Sequence, residues 1–233
     1  MTCQLLGLLL VAVGSVACSS PSPSQPTVSA TTTTLVSQPT PVVMPRSSDP
    51  RIPPEAQKYR RQIIKAWQYY FGLAESPATG FGQIHQESRF NSTARSGVGA
   101  EGIGQFMPST AEWINSVLPP DQKCGTKGCP LDPTWAINAT CTFDWRLFQV
   151  YGRITQLSDD RWGFSLAAYN AGEGSVVKER AKCAATSGCL PSKWFNHTEN
   201  VCSRSPANCA ETRDYSRVIM LKWAPMYQSW LSL

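Results

Sequence analysis

One glutamate stands where a carboxyl group could transfer protons. Glu87 follows Ile84 by one helical turn, on a face that includes Phe81 and has Phe90 nearby. A carboxyl group on an apolar face is desolvated, which raises its pKa toward the range in which it donates a proton near neutral pH. A solvated glutamate at a helix end fits this face equally well. His85 is two positions away and points to another side of the helix, so a Glu–His pair is not indicated.

A glycine-dense segment follows this glutamate. In "GVGAEGIGQFMP" four of the first eight residues are glycines, so an ordinary helix or strand is not expected there and the backbone can approach a ligand closely. Gln105 adds an amide group that can both donate and accept hydrogen bonds. A flexible surface loop is the alternative. It is weakened by three neighbouring side chains that favour burial: Ile103, Phe106 and Met107.

Two later segments add polar side chains of the same kind. "AAYNAGEGSV" contains Tyr169 and Asn170 where glycines end a helical pattern, and "ETRDYSRVI" places Tyr215 four residues after Glu211. Taken singly, each is ordinary, because a buried tyrosine or a capping asparagine is the default interpretation.

Taken together and in this order, the segments resemble a known family. "ESRFNSTARSGVGAEGIGQFMPSTA", "AAYNAG" and "ETRDY" are similar to the signature segments of the soluble lytic transglycosylase (SLT) domain, which has a lysozyme-like fold related to goose-type lysozyme. The resemblance runs from about residue 75 to 225. It implies that Glu87 is the catalytic residue and that the substrate is bound by Ser88, Gln105, Tyr169, Asn170 and Tyr215. Ile103 and Gly104 replace the Leu and Met of the family's glycine-rich loop.

The resemblance also implies a reaction. A lytic transglycosylase cleaves the glycosidic bond between N-acetylmuramic acid and N-acetylglucosamine in peptidoglycan and leaves 1,6-anhydro ends, with one glutamate and no cofactor. Glu75, Glu101 and Glu211 are candidates for a second carboxylate; Glu101 is expected to be solvated, and Glu211 to be structural at a helix start. The alternatives are a hydrolytic muramidase on the same fold and a non-catalytic peptidoglycan-binding envelope lipoprotein. The expected partner is a glycan strand, bound by a monomer.

Helical periodicity is expected to position these residues. Apolar stripes at spacings of three and four predict helices across most of the chain beyond residue 54, including one from Pro108 with a stripe of Trp113, Ile114 and Val117. A last helix runs from "ETRDY" toward the end of the chain and is kinked or ended by Pro225. We therefore predict a mainly α-helical, lysozyme-like single domain. A small β-hairpin could lie near "STARSGVGAEG", and 178–210 is expected to be a stapled loop at one end of the cleft.

The amino-terminal region differs from this domain in composition. The first 45 residues contain no charged side chain, and a short apolar run is followed by "GSVACSS". We predict a signal peptide at 1–17, a Ser/Thr/Pro-rich linker at 18–54 and the catalytic domain at 55–233. "VAC" also resembles a lipobox, which would make Cys18 a lipidation site, although "SVA" fits ordinary cleavage as well. Export to the periplasm or cell envelope is expected, with an outer-membrane lipoprotein as the lipidated alternative.

Charge and cysteine content exclude some functions. A net charge of +5 without any Lys/Arg run longer than two does not indicate nucleic-acid binding. Of nine cysteines, six lie in short loops that predict local disulfides, "CGTKGC", "CAATSGC" and "CSRSPANC", while Cys141 lies within a helix and is expected to be free. A zinc site is not favoured, because the chain has only two histidines, His85 and His197, and no CxxC pair.

Overall fold

Helices account for most of residues 51–232, the part of the chain that the computed structural model describes. The mainly α-helical, lysozyme-like architecture predicted from the sequence is confirmed. The predicted signal peptide, Cys18 and nearly all of the predicted linker lie outside the described residues. The eight α-helices of residues 51–232 are α1 (Pro54–Phe71), α2 (Ala78–Ser88), α3 (Pro108–Val117), α4 (Pro133–Tyr151), α5 (Ser158–Ala171), α6 (Glu173–Ala184), α7 (Pro206–Val218) and α8 (Ala224–Leu231).

Aromatic side chains from α1, α4 and α5 form the centre of the core. Trp67 of α1 stacks on Trp162 of α5 with 5.3 Å between ring centroids, and Phe148 of α4 lies 4.6 Å from Trp162. All three rings are buried. Because each ring removes a large apolar area from water, this cluster fixes α5 against α1 and α4.

Helix α2 is held by the carboxyl-terminal part of the chain. Phe81 stacks on Tyr227 of α8, and His85 stacks on Trp223 at a centroid distance of 4.0 Å. A Cβ atom at Gly82 would lie 3.0 Å from the backbone nitrogen of Ala224, so glycine permits the close approach of the two segments. This packing sets the position of Glu87 one turn later.

The glycine-dense segment folds back on itself beside α2. Glu101 makes isolated antiparallel bridges with Arg95 and Phe106, where a small hairpin was expected. Gly102 has φ +75° and faces the carbonyl oxygen of Pro130, which a Cβ atom would approach to 1.7 Å. Only glycine fits this position, so the tight turn that presents Gln105 depends on it.

Two expectations about the helices were wrong. The region 178–210 is not one loop, because α6 extends to Ala184 and α7 begins at Pro206. The last predicted helix is interrupted near Pro225, as expected, by a π-helical turn at Ile219–Trp223. The second wrong expectation concerns α3. In α3 the side chains of Trp113 and Val117 are 36% and 39% exposed. The buried face of α3 instead consists of Ala111, Ile114 and Asn115.

The three predicted local disulfides are present, and the remaining described cysteine is free. The bonded pairs are Cys124–Cys129, Cys183–Cys189 and Cys202–Cys209, while the thiol of Cys141 is buried in α4. Among the helices of residues 51–232, none combines the length and the apolar character needed to cross a membrane.

Candidate active site

Glu87 lies in the last turn of α2 and meets a tyrosine from α7. The hydroxyl group of Tyr215 donates a hydrogen bond of 2.5 Å to Oε1 of Glu87. The pKa of Glu87 is raised to about 8: burial raises it most, the Tyr215 hydrogen bond lowers it, and the charge of Glu211 raises it. The side chain is half-buried and lines a cleft. Near neutral pH this carboxyl group therefore carries a proton that it can donate.

The cleft consists of two depressions that share three residues. Glu87, Asn170 and Glu211 line both of them. One depression continues toward the glycine-dense loop and the aromatic rings of Phe143 and Tyr169. The other continues along α7; its further lining residues are Gln86, Asp214, Tyr215 and Val218. Glu87 thus lies where an extended polymer could pass on both sides of it.

Gln105 is held at the cleft by the turn that contains it. Its backbone has φ 48°, a left-handed conformation that is uncommon for a residue with a side chain. Its Nε2 donates a hydrogen bond of 2.9 Å to the carbonyl oxygen of Gly102. The turn therefore positions the Gln105 side chain, which lines the same depression as Glu87.

Tyr169 and Asn170 join the end of α5 to two other parts of the cleft. The hydroxyl group of Tyr169 donates a 2.9 Å hydrogen bond to the carbonyl oxygen of Gly104, while Oδ1 of Asn170 accepts a 2.8 Å bond from Thr212 of α7. The ring of Tyr169 packs against Phe143 with a centroid distance of 4.9 Å. The structure therefore brings Glu87, Gln105, Tyr169, Asn170 and Tyr215 together at one cleft.

Ser88 has a different position from the other predicted site residues. Its hydroxyl group donates a 2.8 Å hydrogen bond to the carbonyl oxygen of Ile103, which ties the end of α2 to the glycine-dense loop. Ser88 lines a neighbouring depression with Arg89 and Asn91. A contact between Ser88 and substrate remains a prediction.

The three glutamates weighed as a second carboxylate have different environments. Glu75 accepts a 2.8 Å hydrogen bond from the indole of Trp162, and Glu101 forms an ion pair with Arg95 and is not simply solvated. Glu211 was expected at a helix start, but α7 begins at Pro206. Glu211 is exposed and lies within the helix, facing the cleft beside Glu87. Of these three carboxylates, Glu211 is the one that lines the cleft.

One further acid lies near this site and was not predicted from the sequence. Asp144 is fully buried in α4, and burial raises its pKa well above the ordinary value; the Gln83 amide lowers this pKa, and the charge of Glu87 raises it. A signal was present, because Asp144 interrupts the apolar face that contains Ile137, Cys141 and Phe148. Within the described part of the chain, no group of three or more His, Cys, Asp or Glu side chains is placed to hold a metal ion.

Comparisons with known proteins bear on the family and the fold of the chain. The family model for the transglycosylase SLT domain matches residues 65–188. The structure is similar to an inactive mutant of lytic transglycosylase Slt from Pseudomonas aeruginosa, with a TM-score of 0.52, 22% sequence identity, and coverage of 75% of this chain and 24% of that one. The 70 kDa soluble lytic transglycosylase from Escherichia coli matches with a TM-score of 0.49, 24% identity, and coverage of 72% and 24%. The chain thus spans about a quarter of the length of these proteins, and the first likeness shows a shared fold.

Proposed function

Because the chain belongs to the transglycosylase SLT domain family, we propose that it is a peptidoglycan lytic transglycosylase. It would cleave the β-1,4 bond between N-acetylmuramic acid and N-acetylglucosamine and form 1,6-anhydro ends. One observation carries this proposal: Glu87, whose pKa is raised to about 8, lies in a cleft with Tyr215 bonded to its carboxyl group. A module that only binds sugar has no need for such a proton donor.

Glu87 acts first as an acid in the proposed reaction. Its proton passes to the glycosidic oxygen as the bond to the anomeric carbon of N-acetylmuramic acid breaks. The carbonyl oxygen of the sugar's own N-acetyl group bonds to that carbon in place of a protein carboxylate. This variant needs one acid, whereas most glycosidases need two carboxyl groups on either side of the bond.

Glu87 then acts as a base. Its carboxylate accepts the proton of the C6 hydroxyl group, whose oxygen bonds to the anomeric carbon and displaces the N-acetyl oxygen. Glu87 regains its proton, the 1,6-anhydro ring is closed, and no water is consumed. A pKa near neutral suits both steps, because the same group must release and recover a proton.

The remaining site residues are proposed to orient Glu87 and the substrate. Tyr215 holds one oxygen of Glu87 and so directs the other toward the cleft. Gln105 would orient the N-acetyl group, while Tyr169 and Asn170 hold sugar rings through aromatic and amide contacts. Ser88 would contact the substrate near the glycine-dense loop, to which its hydroxyl group is hydrogen-bonded.

A hydrolytic muramidase is the second candidate, and the position of Glu211 favours it. Glu211 lines the cleft beside Glu87 and could act as a base toward water. The products separate the two reactions, because hydrolysis leaves reducing ends and transglycosylation leaves anhydro ends.

The proposed substrate lies outside the cytoplasmic membrane, so the proposal includes export. We assign a signal peptide to 1–17, a linker to 18–54 and the catalytic domain to 55–233. Lipidation at Cys18 would anchor the protein in the outer membrane, whereas cleavage alone would leave it in the periplasm. The three disulfides support an oxidising compartment.

Mass spectrometry of the digestion products tests the function. The full chain and its Glu87→Gln variant are incubated with purified peptidoglycan. Anhydro-muropeptides from the wild-type protein and none from the variant are expected. Reducing-end products would establish the muramidase. Binding to peptidoglycan without any soluble product would refute both enzymatic candidates and leave a wall-binding lipoprotein.

A further inference from the structure

Buried polar groups without partners are concentrated next to Glu87. Among residues 51–232, six buried side-chain nitrogen or oxygen atoms have no partner in hydrogen-bond geometry, and five of these atoms belong to Gln83, Thr140 and Asp144. These three side chains are at most 1% exposed. The Gln83 amide still acts on Asp144, and Thr140 on Tyr169, but neither contact is a well-formed hydrogen bond. The sixth atom is the hydroxyl oxygen of Thr198, in a short 3-10 helix that follows α6.

The three side chains connect α2, α4 and the cleft. Gln83 precedes Glu87 by one turn of α2, and Asp144 follows Thr140 by one turn of α4. Thr140 contacts the glycine-dense loop, since a Cβ atom at Gly104 would lie 2.5 Å from its Oγ1. Asp144 is close enough to Glu87 for their charges to interact.

Such a cluster is costly for stability. A buried polar group without a hydrogen bond costs about 1–3 kcal/mol, and apolar side chains of similar size would avoid that cost. Five of the six atoms lie near Glu87, whose carboxyl group must carry a negative charge during the proposed reaction. A role in that reaction explains the placement, whereas core packing does not.

Asp144 has no positive charge to balance it. The ion pairs of the described residues do not include it. Asp144 interacts electrostatically with four ionisable groups: Glu87 from α2, Cys141 from α4, Tyr169 from α5 and Tyr215 from α7. All are neutral or anionic, so a carboxylate in this place would be desolvated and repelled. Burial and repulsion therefore favour the protonated, neutral form of Asp144 over its carboxylate, against a smaller opposing effect of the Gln83 amide.

We propose that Asp144 is a positioning residue for Glu87: its protonated carboxyl group and the Gln83 amide form a polar backing that stabilises the Glu87 carboxylate left after proton transfer. This inference rests on the proposed role of Glu87 as the acid. Dipoles that are in place before the charge develops stabilise it without reorganisation. Asp144 keeps its own proton throughout, because two neighbouring carboxyl groups do not both ionise readily.

Carboxyl-carbon NMR titration of the full chain tests this without requiring turnover. Asp144→Asn keeps a neutral polar group and is expected to leave the pKa of Glu87 within about half a unit. Asp144→Leu removes the polar backing and is expected to raise that pKa by about one unit or more. Thr198→Val is the matched control, because it removes an unpaired buried hydroxyl group away from Glu87 and should change nothing there. In the wild-type protein the Asp144 signal should remain that of the protonated acid beyond the midpoint for Glu87.

Two other results overturn the proposal. If Asp144→Asn lowers the pKa of Glu87 by about a unit, Asp144 is ionised and acts as a charge. If neither Asp144 variant moves it, Asp144 has a structural role only. Gln83→Leu repeats the test from α2, so the outcome does not depend on one variant folding. An inactive protein whose Glu87 titration still responds to Asp144→Leu would refute the proposed function and leave the coupling intact.

The pH dependence of kcat/KM adds a functional readout. Only the protonated form of Glu87 can act as the acid, so activity falls at alkaline pH with the pKa of that group. Asp144→Leu should move this alkaline limb upward, while Asp144→Asn and Thr198→Val leave it in place. If Asp144→Leu lowered kcat/KM equally at every pH and left the alkaline limb in place, the loss would indicate structural damage instead.

Discussion

At the scale of single residues, the proposed chemistry requires the folded protein to favour the protonated form of Glu87 over its carboxylate. Its pKa of about 8 in the folded chain lies above its ordinary value of 4.5, so folding favours the protonated form. Stability contributed by this group is therefore fully present below about pH 4.5 and decreases as the pH rises toward 8. Function and stability conflict at this position.

The Glu87→Gln variant should be inactive but more stable at neutral pH. At pH 7 the difference of 2.5 pH units from 4.5 corresponds to up to about 3 kcal/mol, and less because the cleft is partly open to water. At pH 4.5 the gain should nearly vanish. Urea unfolding at both pH values measures it. An equal gain at both would show that the benefit comes from packing rather than from proton linkage.

Tyr215→Phe should shift the activity profile upward in pH. The hydroxyl group of Tyr215 stabilises the ionised form of Glu87, so its loss raises the pKa of Glu87 above 8. We also expect kcat to fall about 100-fold, because the carboxyl group loses its orientation. The pH profile of kcat/KM distinguishes the two effects, and a limb that moved to lower pH would contradict this assignment.

Glu211→Gln should lower the pKa of Glu87 by removing a neighbouring negative charge. A transglycosylase should retain most of its activity near pH 6, whereas a muramidase that uses Glu211 as its base should lose activity as completely as Glu87→Gln does. Asp214→Asn is the matched control, because Asp214 is an exposed carboxylate that lines the cleft from the same helix. The yields of anhydro and of reducing-end products for the three variants decide between the reactions.

At the scale of elements, the contact between α2 and the π-helical turn should weaken in acid. His85 is buried against Trp223, and its Nδ1 lies 2.8 Å from the hydroxyl oxygen of Tyr227. Burial first, and then the charges of Arg89 and Lys222, lower the pKa of His85 to about 4. The neutral ring is thus the folded form, and the stability that it contributes is lost as the pH falls from about 6.5 to 4.

The fluorescence of the tryptophans tests this contact. Across that pH range the wild-type protein should become easier to unfold in urea, with an emission change as Trp223 becomes exposed. His85→Gln, which does not titrate, should not show this pH-dependent loss. If both proteins respond alike, the acid sensitivity belongs to another group.

Most elements were predictable, and the exceptions have physical reasons. Helices α1 and α4 have long apolar stripes that determine them locally. Helix α6 lacks such a stripe and follows Gly172, so its stability comes from packing on α5 rather than from its own pattern. In α3, Trp113 was expected in the core but is partly exposed. Its ring makes an edge-to-face contact with Phe143 of α4, and no local spacing of residues specifies such a contact.

The site was predictable to the extent that its residues resemble family motifs. The segments around Glu87 and Tyr215 suggested their proximity, although 128 residues separate them. Asp144 belongs to no such motif, and its importance depends on burial beside Gln83 from another helix. Long-range burial of this kind cannot be read from periodicity alone.

At the scale of the whole molecule, three short disulfide loops reinforce segments at the ends of the helices and between them. Cys183–Cys189 closes the end of α6, and Cys202–Cys209 closes the start of α7. Their sequence separations are 6 and 7 residues. Loop-closure entropy for rings of this size gives about 2 kcal/mol for each bond, which acts mainly on the unfolded chain.

Replacing both Cys183 and Cys189 by serine should therefore lower the free energy of unfolding by about 2 kcal/mol under oxidising conditions. Under reducing conditions the wild-type bond is also broken, so the difference between the two proteins should nearly disappear. Urea unfolding with and without reductant measures both differences. A gap that persisted in reductant would show that the buried Cys183 side chain contributes through packing. Activity should change little, because Glu87 and Tyr215 are positioned by α2 and α7 against the π-helical turn rather than by this bond.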